Sequence, residues 1–393
     1  MTSRRGQGPS IAVLADDLTS AGDGAAPFRR TGHDARILFR LPEAEAGSPR
    51  GVTAVDLGTR VAAEEDAVAR TRQAASRFAD ADVLLKTVDS TLRGHVAAEV
   101  RAARSGSGRR AVIVAPAFPA EGRVTVGGVQ YVRGVPVHES EFARDPAHPV
   151  RCSDLAELFP DAVPAGPDQA AELPRLLGAG AVVAYSAQRD ADLDLLVASV
   201  PDPDEVLWVG SPGLAAALAR HCARAVAAHQ PVPGPARRPL VVVGSANPAT
   251  RRQLDLLCDR ADVRAVAATE DPAAVVAELS GTTAPVLVLH TPDERRPRDT
   301  ALALGRSMAD AVRKLVEEDR VDALVLTGGE TAAEVLDVLG VTGIGLADEP
   351  EPGVAHGTLL GPPSLPVLIK AGGFGDVNTL VRLCRLLRRQ GGS

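Results

Sequence analysis

The sequence predicts an α/β protein built from two α/β domains with largely parallel sheets, and three observations carry that prediction. Strand-like apolar runs alternate with helix-like stretches almost throughout the chain, the pattern of a parallel sheet covered by helices. Polar or glycine-bearing loops stand directly after several of those runs, where an open α/β sheet presents its ligands. A break from Ala227 to Pro239, holding Pro231, Pro233, Gly234 and Pro235, divides the chain as a linker does. It separates a domain over 9–228 from one over 240–390, with 229–239 between them. A chain of 393 residues is too long for one ordinary core, so two domains suit its length.

Composition narrows the function. Hydrophobic residues at 45% and charged residues at 24% are those of an ordinary globular chain. Aromatics at 3% leave the core to Ala, Val and Leu and offer few stacking platforms for single-stranded nucleic acid. The net charge of −7 also argues against phosphate backbones and anionic membranes as partners. A small anion needs only a local basic pocket. Cys152, Cys222, Cys258 and Cys384 lie far apart without metal-like spacing, and read as reduced, mostly buried thiols of a cytoplasmic protein. Ile11 to Leu14 is too short for a signal h-region. No apolar run approaches the roughly 18 residues of a membrane span. The expectations are no nucleic acid, no membrane and a cytoplasmic location.

In the first half, Ile11 to Leu14 opens the first strand and runs into Ala15-Asp16-Asp17-Leu18-Thr19-Ser20-Ala21-Gly22-Asp23. One aspartate there would serve the start of a helix. Two side by side repel unless something uses them, and they stand where a general base or metal ligand would be wanted. Arg36 to Phe39 and Gly51 to Leu57 are the next strands, the second closing on Gly58-Thr59-Arg60. Arg60 is either a surface arginine or part of the same rim. Ala62 to Phe78 is an amphipathic helix.

Asp82 to Leu85 ends a buried strand, and from His95 the recurrence of Val96, Val100 and Ala103 predicts a helix. The loop between them carries Lys86, Asp89, Ser90 and Arg93. Ser90 or Thr91 could cap the helix, but capping needs no lysine, aspartate and arginine as well. Ala111 to Val114 is a strand leading into a rigid loop from Pro116 to Arg123, and Val124 to Val137 alternates as a β-hairpin turning at Gly134. His138 reads as a surface or capping histidine. Val182 to Tyr185 and Val206 to Val209 are the last strands of this half, followed by an alanine-rich helix through Ala227.

The second half repeats one design three times. Leu240 to Val243 runs into Gly244-Ser245-Ala246-Asn247-Pro248, Ala323 to Leu326 into Thr327-Gly328-Gly329-Glu330-Thr331, and Val367 to Ile369 into Lys370-Ala371-Gly372-Gly373-Phe374-Gly375. A strand, a glycine-containing loop and a helix start present free amides to an anion, and glycine lets backbone approach phosphate closely. Three such turns point to a phosphate or nucleotide cradle. Neither GxxxxGK[ST] nor a strand-borne GxGxxG occurs, which disfavours ordinary P-loop and dinucleotide enzymes. Arg295 to Arg298 reads as a solvated surface run.

These residues resemble the four-carbon acid sugar kinase family over roughly Ile11 to Leu387. The first half is similar to its sugar-acid-binding domain in Ala15 through Thr19, Lys86 through Gly94, Pro116 through Pro119 with Gly122-Arg123, Gly127-Gly128, Asp145-Pro146 and Gly210 through Leu214. The second half is similar to its nucleotide-binding domain in Gly244-Ser245, Thr327 through Thr331, Glu351-Pro352-Gly353 and Lys370 through Gly375. The chain departs from the family pattern at Ser20, which stands where glycine is usual, at Asn247, at Tyr185-Ser186 and at Gly372-Gly373-Phe374.

The resemblance implies ATP-dependent phosphorylation of the terminal hydroxyl of a four-carbon sugar acid such as threonate, erythronate or 3-oxo-tetronate, with Mg²⁺ bridging the phosphates. Asp16, Asp17 and Asp89 become candidates for orienting and deprotonating the hydroxyl. Lys86 would hold the carboxylate or a phosphoryl oxygen, and Arg60 and Arg93 would grip the carboxylate. Ser90 and Asp23 complete the substrate contacts. Gly244, Ser245, Asn247, Thr327, Gly328, Gly329, Glu330, Thr331, Gly372 and Gly373 would hold ATP. Glu330 would reach the metal directly or through water, and no residue is assigned as a metal ligand outright. A sugar acid and ATP are the expected partners, in a homodimer. The alternatives are a non-catalytic binding protein that keeps the fold and, more remotely, a nicotinamide dehydrogenase.

Overall fold

The computed structural model describes residues 8–41, 50–145, 148–223, 234–292, 298–370 and 372–389. Pro146, Ala371, the end of the alanine-rich stretch at 224–227, 229–233 of the linker, and Arg295 and Arg296 of the charged run lie outside them. The chain divides into two compact units, Met1–Ala228 and His229–Ser393.

In the first unit the strands are β1 (Ser10–Ala15), β2 (Ala35–Leu38), β3 (Gly51–Asp56), β4 (Val83–Thr87), β5 (Ala111–Ala115), β6 (Arg123–Val126), β7 (Val129–Val132), β8 (Val135–Pro136), β9 (Val163–Ala165), β10 (Val182–Tyr185) and β11 (Val206–Gly210). The main sheet runs β2-β3-β1-β4-β11-β5-β10-β9, and every pairing within it is parallel. Strands covered on both faces are apolar throughout: Ile11 to Ala15 of β1 are at most 1% exposed. The helix Leu18–Arg30 lies close on this sheet. A Cβ at Gly24 would come within 2.7 Å of Val13 Cγ1.

The chain leaves β1 toward β3 and β2, then returns to add β4 on the opposite side of β1. The carboxyl ends of β1 and β4 therefore flank a topological switch point, where a crevice forms between oppositely directed loops. Asp16-Asp17 follows one strand, and Lys86 to Arg93 spans the end of the other.

The segment 124–137 is a three-stranded antiparallel sheet, not a single hairpin. Its first turn is Gly127-Gly128, both with positive φ (57° and 85°), as a two-residue hairpin turn requires. The helix predicted after β4 spans Val96–Ser107, and His95 occupies its cap position without a side-chain bond. Neither Ser90 nor Thr91 caps it. The Thr91 hydroxyl turns instead to Asp89 (2.5 Å).

In the second unit the strands are β12 (Pro239–Val243), β13 (Val263–Ala267), β14 (Val286–His290), β15 (Ala323–Thr327), β16 (Gly343–Glu351), β17 (Val354–Leu360) and β18 (Pro366–Lys370), in the order β13-β14-β12-β15-β18-β17-β16. The first five are parallel; β17 and β16 extend the sheet antiparallel. This unit has its own switch point, between β12 and β15. Of the stretch read as a linker, the described part packs on this unit. Ala236 is 6% exposed, its amide donates to the Leu387 carbonyl (2.8 Å), and the amides of Arg237 and Arg238 donate to Asp322. Cys384 is buried and the other three cysteines are partly buried. Among the described residues no helix is long and apolar enough to cross a membrane.

Candidate functional site

At the first switch point the charges neutralise one another in place. Arg60 is fixed by its backbone, because the amides of Thr59 and Arg60 donate to the Asp16 carbonyl (2.9 and 3.0 Å). Its guanidinium then grips the Asp16 carboxylate with two bonds, Nε to Oδ2 (2.8 Å) and Nη2 to Oδ1 (2.9 Å). It also bonds Asp17 and donates to the Ser20 hydroxyl (2.8 Å). Asp17 caps the helix, accepting from the Ser20 amide (2.7 Å), so the plain helix-start reading holds for that residue. Four of the five N–H donors of Arg60 are occupied, and the guanidinium works here as an organiser of carboxylates. Asp23 lies farther along the helix Leu18–Arg30, partly buried.

One guanidinium shared by two carboxylates sets them apart. Burial alone would raise Asp16, but the Arg60 charge and bidentate bond, with Lys86 nearby, hold it below the usual carboxylate range. Asp17 is pushed up by burial and by the charge of Asp16. Burial also opposes ionisation of Asp89, yet the charges of Arg93 and Arg60 and the bonds from Arg93 and Thr91 hold it far below its ordinary value. Arg93 Nε meets Asp89 Oδ2 at 2.5 Å, and its Nη1 meets Asp145 Oδ2 at 3.2 Å. The Phe142 ring centroid lies 5.3 Å from its guanidinium, a cation–π distance.

Lys86 is not in the loop. It belongs to β4, is fully buried, and its ammonium bonds Glu99 Oε2 (3.0 Å) and the Thr87 carbonyl (2.7 Å). Ser90 is buried as well, and its carbonyl accepts from Gln130 Nε2 (2.8 Å), which ties the loop to the small antiparallel sheet. Leu92 adopts φ of 61° and Gly94 of 88°. A left-handed leucine is a costly conformation, found where the surroundings over-determine it. Beside this loop is a cavity of about 250 Å³ lined by Arg93, Gly94, His148 and Arg151 among others.

In the second unit the three predicted turns converge. A Cβ at Gly244 would sit 1.7 Å from Thr331 Oγ1, one at Gly372 2.5 Å from Ser245 Oγ, and one at Gly328 3.1 Å from the Ser245 amide. Glycine is what lets these backbones meet. The helix Gly329–Val338 starts behind Gly328 (φ 100°) with no side-chain cap bond, so its first amides are available to an anion. Thr327 Oγ1 is buried at the same turn without a hydrogen-bond partner. Asn247 caps the helix Pro248–Cys258 through the Ala249 amide (2.9 Å). The third turn differs from the expected design, for its helix begins only at Thr379. Its loop is tied by Thr250 Oγ1 to the Gly372 carbonyl (2.6 Å) and by Gln253 Nε2 to the Phe374 carbonyl (3.1 Å). Arg382 joins Glu351 and Asp376 beneath it. Glu330 is exposed on the first turn of its helix.

Sequence reasoning left four residues without a role. Lys370 ends β18 at these turns, almost fully buried, with its ammonium 3.3 Å from Thr250 Oγ1. Burial pushes its pKa down to about 8, against the charge of Glu351. Glu99 and Gln130 support the first site from a helix and a β-strand. Asp56 closes β3, opposite Ala15 in the ladder.

The comparisons match the division into two units. Residues 11–218 match a sugar-binding N-terminal domain, and residues 240–380 match a nucleotide-binding C-terminal domain. A D-threonate kinase of Bordetella bronchiseptica is 37% identical over 98% of both chains. More distant relatives are named D-erythronate kinase (27%) and 3-oxo-tetronate kinase (30%). A crystal structure of a domain of unknown function from Bordetella bronchiseptica, described with bound citrate as a domain-swapped dimer, is 36% identical, covering 98% of this chain and 100% of its own, with a TM-score of 0.50. A Salmonella typhimurium LT2 crystal structure shares the fold at a TM-score of 0.80 and 22% identity, over 96% of this chain and 99% of that one. A sugar-binding unit followed by a nucleotide-binding unit, matched across nearly the whole length, places this chain in the four-carbon acid sugar kinase family.

Proposed function

We propose that this chain is an ATP-dependent kinase acting on the terminal hydroxyl of a four-carbon sugar acid, with D-threonate the first substrate to test. The observation that carries the reading is the convergence of three glycine-bearing turns near the buried Lys370. Bare amides, an unpartnered Thr327 hydroxyl and a buried ammonium suit a triphosphate. When bound, MgATP supplies the transferable phosphoryl group. Among the described residues no three His, Cys, Asp or Glu gather into a metal cage, so Mg²⁺ would be held mainly by phosphate oxygens, with Glu330 as the contribution of the chain.

In the first unit, Arg93 keeps an exposed edge toward the cavity shared with Arg151, and these two cations are the proposed grip on the acid's carboxylate. Arg60 holds Asp16 and Asp17 in place as fixed acceptors for substrate hydroxyls. Lys86 and Glu99 stiffen the strand beneath them. Catalysis by alignment and charge neutralisation is what phosphoryl transfer requires.

The test is ADP release with D-threonate, D-erythronate, 3-oxo-tetronate and 4-hydroxythreonine. Turnover with a tetronate supports the reading. Binding of ATP and acid by calorimetry without ADP release would establish a non-catalytic binder instead. We further propose a cytoplasmic homodimer. The relative described as a domain-swapped dimer supports the dimer, the widely spaced cysteines support the location, and light scattering tests the dimer.

A further inference from the structure

Four aspartates stand at the carboxyl ends of β1, β3 and β4, and three of them are committed. Asp16 is held by two bonds from Arg60. Asp17 divides its oxygens between the Ser20 amide and Arg60. Asp89 is bonded by both Arg93 and Thr91. A carboxylate held by a guanidinium orients well and accepts a proton poorly, because the arginine stabilises the charged form. Asp56 differs. It is partly buried, its Oδ1 accepts the Gly58 amide (2.8 Å), and among the described residues no arginine or lysine pairs with it.

Resting on the kinase reading above, we propose that Asp56 is the general base of the first unit: it takes the proton of the attacking hydroxyl, while Asp16, Asp17 and Asp89 position the substrate. As the hydroxyl oxygen bonds to the γ-phosphorus, the bond from that phosphorus to the β,γ-bridging oxygen breaks. ADP leaves with the electron pair, the hydroxyl proton passes to an Asp56 carboxylate oxygen, and Asp56 then releases it to water.

Position supports the role. Asp56 lies across the parallel ladder from Ala15, one residue before the Asp16-Asp17 pair, and the Leu57 amide is fixed to the Ala15 carbonyl (2.9 Å). The charged groups around it are Asp16 and Asp17 from the β1 turn, Arg60 from its own loop and Arg70 from the helix Glu64–Arg77, whose Nη1 reaches the Leu57 carbonyl (3.3 Å). Burial is the main cause that lifts its pKa to about 7, aided by repulsion from Asp17 and Asp16 and opposed by the Gly58 amide and Arg60. A base poised near working pH, beside an Asp16 that Arg60 holds ionised, is the division of labour that acid–base catalysis favours.

The experiment is the pH profile of kcat/KM for wild type, Asp56→Asn and Asp56→Glu, with ATP and D-threonate binding followed by calorimetry. The wild type should lose kcat/KM below pH about 7, where the base is protonated. Asp56→Asn should bind both ligands yet turn over about 10²-fold more slowly, with no acid limb left. Asp56→Glu should recover part of the rate and keep a limb. A limb that persists in Asp56→Asn, or near-normal turnover, overturns the assignment while leaving the kinase reading intact. A wild type inactive toward every tetronate overturns both. Should Asp56→Asn fail to fold, carboxyl ¹³C titration of the wild type decides: a resonance titrating near 7 that Asp56→Glu displaces supports the base, and its absence overturns it.

Discussion

Two lysines stand at the carboxyl ends of strands that lead into the two candidate sites, Lys86 one residue before the end of β4 and Lys370 at the end of β18, and they are treated differently. Lys86, in the first unit, is sealed in the core with Glu99 3.0 Å away. Lys370, in the second, is bonded to the Thr250 hydroxyl, and burial presses its ammonium toward the neutral form at about 8. The same contrast runs through both sites. The first unit balances its own charges, with Arg60 on Asp16 and Asp17 and Arg93 on Asp89 and Asp145. The second is built from close-packed glycines and backbone amides. Self-compensated polar groups suit a small hydroxy acid that must be held in one orientation. A cation not yet fully stabilised suits a ligand that brings its own negative charge.

The largest expected effect that would break this comparison comes from Gly244→Val. Its Cβ would fall 1.7 Å from Thr331 Oγ1, so calorimetry should show no ATP binding while acid binding persists. Retained ATP affinity would contradict the converging-turn account. Gly329→Ala is the control, since its Cβ meets open space, and its melting temperature should match the wild type. Next is Glu99→Gln, which leaves Lys86 charged and buried without its carboxylate. Breaking a buried pair from one side costs about 3–5 kcal/mol, read by urea unfolding. A loss below about 1 kcal/mol would mean that Lys86 is compensated elsewhere.

Lys370→Met sharpens the contrast. Losing a charge-assisted bond of about 1.5–3 kcal/mol should weaken ATP about 10- to 100-fold. Stability should hold or rise, because a buried ammonium is removed. Lys86→Met should do the reverse, destabilising the fold and sparing ATP affinity. Arg93→Lys is the mildest of the substitutions. It gives up the planar fork, and KM for the sugar acid should rise about tenfold with kcat little changed.

Much of this was legible in the sequence, because periodicity and loop chemistry are local. The strands ending at Ala15, Val243 and Thr327, and the polar or glycine loops after them, follow from apolar runs and their punctuation. The convergence of Gly244, Gly328 and Gly372 was not, since it depends on strand order across the sheet. Lys86 was misplaced into the loop because its partner, Glu99, lies 13 residues on, in a helix whose inner face carries a single acid. Asp56 falls inside the run from Gly51 to Leu57 that reads as a strand, so pattern alone gives it no separate role; only the pairing of its neighbours with arginines distinguishes it. The antiparallel strands β16 and β17 escaped notice because their alternation is interrupted by register shifts between Leu346 and Glu351.

The most direct test of the central contrast is the proton balance of ATP binding near pH 8.5. A lysine whose pKa is lowered to about 8 is largely neutral there, and triphosphate would raise it. ATP should therefore bind with uptake of protons, and its affinity should fall as pH rises through that window. Calorimetry in two buffers of different ionisation enthalpy measures the uptake. The account predicts a substantial fraction of one proton for the wild type and a clear loss of that uptake in Lys370→Met. An observed heat independent of buffer, or an uptake unchanged in Lys370→Met, would contradict it.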